Sequence, residues 1–337
     1  MSQQAAAVEE IIEPELAICD PHHHLWHMSE AAADALSHVP ITEYLLPEFL
    51  RDLGAGHKIV STVYMQAGAF LRAGVSEDLA PIGETEFANG MAAMSASGRY
   101  GPTRIAAGIV GHANLSLGAA VQPLLEAHIR VGGGRLRGIR VTGSHDPAGA
   151  TPWGTAPAGL YLDSKFREGF ARLADFDLSF DAWCYHVGIP DLTDLARAFP
   201  DQPIMLDHVG TPLGVGPYAS RKDEVFAEWR AALRELASCP NVSIKLGGLG
   251  MFMLGIDLPD RHSVTSDTVS AAWRPYIETA IEAFGEDRAL FESNFPVDAL
   301  ACSYGVLWNA FKRIAAGCTA EVKRKLFHDN AVRFYKL

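Results

Sequence analysis

Eight short runs of β-branched and apolar residues, bounded by Gly, Pro, Asp or Asn, recur along this chain, each followed by a stretch of helical periodicity. The strand-like runs are Ala17–Trp26, Lys58–Gln66, Arg104–Gly111, Leu136–Thr142, Leu178–Tyr185, Pro203–Val209, Val242–Leu246 and Ala289–Phe295. The helical stretches are Thr42–Leu53, Glu84–Ser97, Leu117–Val131, Ser164–Ala174, Leu192–Phe199, Glu224–Ala237, Thr268–Phe284 and Tyr304–Ala316, with short closing helices at Glu321–Phe327 and Asn330–Tyr335. Repeated strand–helix alternation specifies a parallel α/β architecture, and a count of eight predicts a closed (β/α)8 TIM barrel over an open doubly wound sheet. No G-x-G-x-x-G opens a helix after the first strand, so dinucleotide binding has no support. Gly132-Gly133-Gly134 precedes a strand and reads as a helix C-cap and turn.

All 337 residues are compatible with one barrel domain, expected over residues 16–337 behind a loosely ordered lead-in at 1–15. Two long Gly- and Pro-bearing segments, 143–163 and 247–267, follow strands and are expected to overhang the catalytic face. No apolar stretch approaches the roughly 18 residues of a membrane span. The N-terminus carries no Lys or Arg before Arg51, unlike a secretory signal. Net charge is −12, and the short basic run from Arg135 to Arg140 lies in a predicted strand, which argues against nucleic acid as a partner. Five cysteines without CxxC spacing suit a reducing cytoplasm better than a disulfide framework. The expected partner is a small molecule, with a homo-oligomer allowed.

The densest chemistry is Asp20-Pro21-His22-His23-His24-Leu25-Trp26. Side chains alternate along a strand, so Asp20, His22 and His24 are expected on one face and His23 on the other. Two imidazoles converging at a strand end can ligate a metal or polarise an anion. His186 ends the fifth predicted strand and His208 the sixth, in Leu206-Asp207-His208-Val209-Gly210, and all four histidines are expected at one end of the barrel. His38, His57, His128 and His328 read as surface residues.

The D-x-H-x-H-L-W opening, the L-D-H-V-G segment and Phe291-Glu292-Ser293-Asn294-Phe295-Pro296-Val297 resemble the amidohydrolase-related family of TIM-barrel hydrolases, in the branch of sugar-lactone and 2-pyrone-4,6-dicarboxylate lactonases. The resemblance runs from about Ile18 to the C-terminus. It implies that His22, His24 and His186 are the metal-ligand positions, with one divalent ion, zinc by preference, or none. Arg140 stands where binuclear members keep a bridging lysine, which argues against two ions. The family's eighth strand reads F-G-S-D-W-P, and its Asp takes the water proton or holds the metal; here that residue is Asn294, an amide that cannot act as a base near pH 7.

Another acid is therefore expected. Glu292, two residues deeper, is read as a metal ligand or a partner of Arg140. Asp298, placed at an exposed rim, is read as the base. With His208 and Arg140 these form the catalytic candidates; Arg140, Trp26, Asn294 and Tyr185 are the substrate-contact candidates. The reading is hydrolysis of a small cyclic ester or related carboxylated compound by activated water. The alternatives are a metal-dependent decarboxylase of an aromatic acid and a catalytically silent ligand-binding barrel.

Overall fold

The strand-forming runs pair in the order in which they occur. The computed structural model describes residues 9–28 and 41–337. Its parallel strands are β1 Ala17–His23, β2 Lys58–Met65, β3 Arg104–Gly111, β4 Leu136–Thr142, β5 Ser179–Trp183, β6 Ile204–Leu206, β7 Val242–Leu246 and β8 Ala289–Phe291, each hydrogen-bonded to the next. The seam between β8 and β1 is closed just past the end of β8. Asn294 N–H donates to the His22 carbonyl (2.9 Å), and His24 N–H to the Phe295 carbonyl (2.8 Å). Asp20 fastens the same seam, accepting from Ser293 N–H (3.0 Å), Ser293 Oγ (2.6 Å) and Tyr304 Oη (2.9 Å). The eight-strand TIM barrel expected from the alternation is therefore the fold.

The crossovers carry α1 Leu46–Leu53, α2 Ile82–Ala96, α3 Gln122–Val131, α4 Ser164–Ala171, α5 Ile189–Ala198, α6 Lys222–Ala237, α7 Ser266–Phe284 and α8 Tyr304–Ile314. Several begin where the sequence supplies a side-chain cap: Asp163, Thr265 and Ser303 accept the orphan amides of α4, α7 and α8. Gly132 caps α3, donating to the His128 carbonyl. Two cores result. The larger lies between strands and helices; the smaller fills the barrel with Cys19, Val63, Met65, Val110, Met205 and Leu290. Tyr335 and Ala331 of the C-terminal helix Asn330–Tyr335 close the floor of the inner core.

Several expectations need correcting. From Glu9 onward the lead-in is pinned, not loose. Glu9 accepts from Ser266 N–H (2.7 Å), and Lys312 Nζ donates to the carbonyls of Ile12 and Glu13 (2.8 and 2.9 Å). His57 and His128 are buried, bonded to the Gly305 carbonyl and to Thr85 Oγ1, because both face the strand–helix layer. His38 lies outside the described residues. β5, β6 and β8 end earlier than the apolar runs suggest, because the chain leaves the ladder to build the site. His208 (φ 54°), Val209 (φ 49°) and Asn294 (φ 53°) adopt left-handed conformations there. Among the described residues no helix is long and apolar enough to cross a membrane.

Candidate active site

The histidine motif reaches the barrel interior through an irregularity. Cys19 packs into the inner core, so unbroken alternation would turn His22 outward with Asp20. The β1–β2 register shifts between Asp20 and His23, and this bulge at Pro21 restores an inward direction for His22 and His24. Asp20 consequently faces the seam and α8 instead of joining the histidines, which corrects the expected shared face. His23 points away as expected, stacking on Phe49 (4.3 Å) and bonding Thr62 Oγ1. His24 Nδ1 lies 2.8 Å from the Met65 carbonyl, so it carries the proton and leaves Nε2 as a lone pair. That lone pair faces His22 Nε2 at 3.1 Å.

Behind His22 stands a buried charge hub. Lys245 Nζ, on β7, lies 2.9 Å from Asp181 Oδ1, 2.8 Å from Asp207 Oδ1 and 3.1 Å from His22 Nδ1, all fully buried. Arg140 Nε pairs with Asp207 Oδ2 (2.9 Å), while Arg140 Nη1 donates to the Gln66 carbonyl (3.2 Å) and the guanidinium lies 5.3 Å above the Trp183 ring. Burial pushes Asp207 up, but Lys245 and Arg140 outweigh it and hold the carboxyl well below its usual range. Burial lifts Asp181 to about 6 against the pull of Lys245. The expected pairing of Arg140 with Glu292 is thus replaced by Arg140–Asp207.

Glu292 instead serves two histidines. Its Oε1 lies 2.7 Å from His208 Nδ1 and also accepts from His208 N–H (3.2 Å); Oε2 lies 2.8 Å from His22 Nδ1. The chain wraps this group without slack. A Cβ on Gly247 would fall 2.4 Å from Glu292 Cγ, and one on Gly248 (φ 68°) 2.5 Å from the His208 ring. Burial takes His22 and His208 down to about 3, so both are neutral at pH 7. The His22 and His208 rings are 4.5 Å apart, which brings the first- and sixth-strand motifs together as expected.

A cavity of about 380 Å³ opens onto His208, with Glu292 and His22 buried behind it. His24, Arg140, His208 and Asn294 form its polar floor, and Trp26, Trp153 and Trp183 its walls. Trp153 arrives on the 143–163 loop and Met251 on the 247–267 loop, as their overhang required. Three candidates fall elsewhere. His186 lies beyond the end of β5, in a single helical turn whose backbone redirects the ring; its Nδ1 accepts from Leu213 N–H, and the ring meets Tyr218. Tyr185 is buried against Thr151 Oγ1 (2.7 Å), and Trp183 takes its place at the cavity. Asp298 is fully buried, because the turn Val297–Leu300 folds back under Asn294; it accepts from Asn294 Nδ2 (2.9 Å) and Gly250 N–H (3.2 Å).

Burial raises the Asp298 carboxyl to about 8, so at neutral pH it is mostly the acid and not the ionised base expected of an exposed rim. An acid whose pKa rises on folding stabilises the fold most below its unfolded value of about 4, and this contribution is lost as pH climbs through about 8. Asp298→Asn, which mimics the protonated carboxyl, should keep kcat within a few-fold at pH 7. It should also gain stability relative to the natural chain between pH 5 and 9, read from urea midpoints. A loss of about 10² in kcat, the scale of a missing general base, would return that role to Asp298.

The donor set fits one metal ion. If the His22 proton sits on Nδ1, which is 2.8 Å from Glu292 Oε2 as an ion-pair contact, then His22 Nε2 and His24 Nε2 are both lone pairs 3.1 Å apart, which a cation between them would satisfy. If His22 Nδ1 accepts from Lys245, His22 Nε2–H donates to His24 and the set closes on a proton alone. Donor atoms of His22, Asp207 and His208 also lie within 4.8 Å of one another. There, however, both Asp207 oxygens already face cations, Lys245 and Arg140.

Lys245 and Asp181 were missed in the sequence, and Asp207 was quoted within its motif without a role. The usable signal was a charged residue inside an otherwise apolar strand, in Val242-Ser-Ile-Lys-Leu246 and Ser179-Phe-Asp-Ala-Trp183, since a buried charge needs a partner.

Comparison with known proteins places the fold in a family. The profile of the Amidohydro_2 family, described as amidohydrolase, matches residues 19–337. A Sinorhizobium fredii protein, called uncharacterized protein y4mH, is 35% identical over 334 residues, 96% of this chain and 99% of its own. The L-fucono-1,5-lactonase of Burkholderia multivorans is 31% identical over 179 residues, 52% of this chain and 57% of the lactonase. A crystal structure of an amidohydrolase from Burkholderia multivorans with bound zinc superposes with a TM-score of 0.72 at 26% identity, covering 95% of this chain and 99% of the other.

Proposed function

Because the chain belongs to the amidohydrolase family, we propose that it hydrolyses a small cyclic ester, an uncharged sugar lactone in particular. The carrying observation is His208 at the floor of a tryptophan-walled cavity, held from behind by Glu292. Charge favours a neutral substrate: Arg140 is paired with Asp207, and Lys245 with Asp181 and Asp207, so among the described residues around the cavity no unpaired lysine or arginine awaits a dicarboxylate. The indole faces suit the C–H face of a sugar ring, and the relative called L-fucono-1,5-lactonase supports that substrate class.

In this reading His208 Nε2 takes a proton from water as the water oxygen attacks the lactone carbonyl, and Glu292 holds the tautomer and balances the imidazolium. Arg140 donates to the oxyanion. The ring C–O bond then breaks, His208 returns its proton to the leaving alkoxide, and a hydroxy acid results. Where an ion is bound, His22 and His24 would hold it, and it would supply Lewis-acid polarisation of the carbonyl. Lys245 and Arg140 pre-empt a second position beside Asp207. Elemental analysis of purified protein should therefore find no more than one tightly held ion per chain; two would contradict the assignment.

The functional test is a screen by proton release on sugar lactones and a pyrone dicarboxylate, with carbon dioxide release from aromatic acids followed in parallel. Turnover of sugar lactones is the expected result. Carbon dioxide release alone would make the protein a lyase, and silence on every compound a binding barrel.

A further inference from the structure

Glu84 sits in the first turn of α2, almost fully buried, and among the described residues no lysine or arginine pairs with it. Its carboxyl is met by four donors instead. Tyr64 Oη (2.9 Å), Ala67 N–H (2.7 Å) and Ala69 N–H (3.3 Å) donate to Oε1, and Gly68 N–H (3.2 Å) to Oε2. Three successive backbone amides turned onto one carboxyl make an anion nest, here filled by the chain's own side chain. The far side of the same loop is seated on α2 as well. A Cβ on Gly83 would fall 2.5 Å from the Phe70 carbonyl oxygen, and Phe70 stacks on Phe87 at 3.7 Å.

The segment held this way follows directly on the end of β2, whose last carbonyls face the site. The Met65 carbonyl accepts from His24 Nδ1, the Gln66 carbonyl accepts from Arg140 Nη1, and Ala67 lines the cavity. A carbonyl can only accept, so the placement of Met65 decides which nitrogen of His24 bears the proton. We propose that Glu84 is a positioning residue of the active site: by gathering the amides of 67–69 it fixes the two carbonyls that set the His24 tautomer and aim the Arg140 guanidinium. The inference rests on the reading of His24 and Arg140 as site residues, but its primary test needs no substrate.

Glu84→Gln keeps the shape and one acceptor but turns an NH2 group against the backbone donors. The ¹⁵N spectrum of histidine-labelled protein, with the His24 signals assigned by their loss in His24→Gln, reads the tautomer directly. In the natural chain His24 should be a single Nδ1–H form. In Glu84→Gln, shown to be folded by circular dichroism, a mixture is expected, and on a substrate from the screen kcat should fall about tenfold with KM changed much less, as for a contact that matters in the transition state. Tyr64→Phe removes one donor from the same carboxyl and should shift both readouts in the same direction by less, so it decides the matter if Glu84→Gln does not fold. A single Nδ1–H tautomer retained in a folded Glu84→Gln, or in Tyr64→Phe where that is the folded variant, overturns the proposal. A tautomer shift without any lactone turnover would keep Glu84 in its role and count against the lactonase reading instead.

Discussion

Replacing His208 by Asn should lower kcat/KM on the substrate found by screening by about 10³, within the usual range for losing an acid–base group. Asn suits this position because the backbone there is left-handed (φ 54°), a conformation Asn tolerates better than most residues. The variant therefore removes the imidazole without adding backbone strain. It also leaves Glu292 facing His22, from which it is 2.8 Å away. Melting temperature should move little while activity collapses. A loss of less than about tenfold in a normally folded variant would mean that another group moves the proton.

Lys245→Met should be the most destabilising single change at the site. Methionine fills similar space but leaves Asp181 and Asp207, both fully buried, without the ammonium that lies within 3 Å of each. Stranding one partner of a buried ion network costs about 3–5 kcal/mol. The loss should shrink at acid pH, because protonation relieves an uncompensated carboxyl; Asp181 already sits at about 6 with the lysine present. Urea unfolding at pH 5 and pH 8 measures both effects. A penalty under about 1 kcal/mol at pH 8, below what breaking a buried pair costs, would show that the hub is not ionised as described.

The barrel was legible because alternation and strand count are local signals, and each run needed only its own flanking turns to be read. The paired motifs around His22 and His208 were legible for the same reason. What the sequence hid was register. Lys245 meets Asp181 and His22 from 64 and 223 residues away, and nothing near Lys245 in the sequence names those partners. Asp20 was misplaced because strict alternation was assumed where a bulge intervenes. Asp298 was misplaced because a residue beyond a strand end was taken as exposed, whereas a short helical turn tucks it back beneath Asn294. His186 failed similarly: a few residues past its strand, the backbone had already turned.

The C-terminal helix carries a consequence of its own. Tyr335 seals the barrel floor, and its hydroxyl reaches Asp181, the acid on the far side of Lys245 from Asp207 and Arg140. The charged hub thus has an electrical insulator beneath it, built from the helix Asn330–Tyr335. Water entering from below would raise the local dielectric and weaken every Coulombic interaction that holds Asp207 ionised. The field felt by a substrate at the mouth is in this sense maintained from the opposite end of the barrel, by a side chain that no substrate touches.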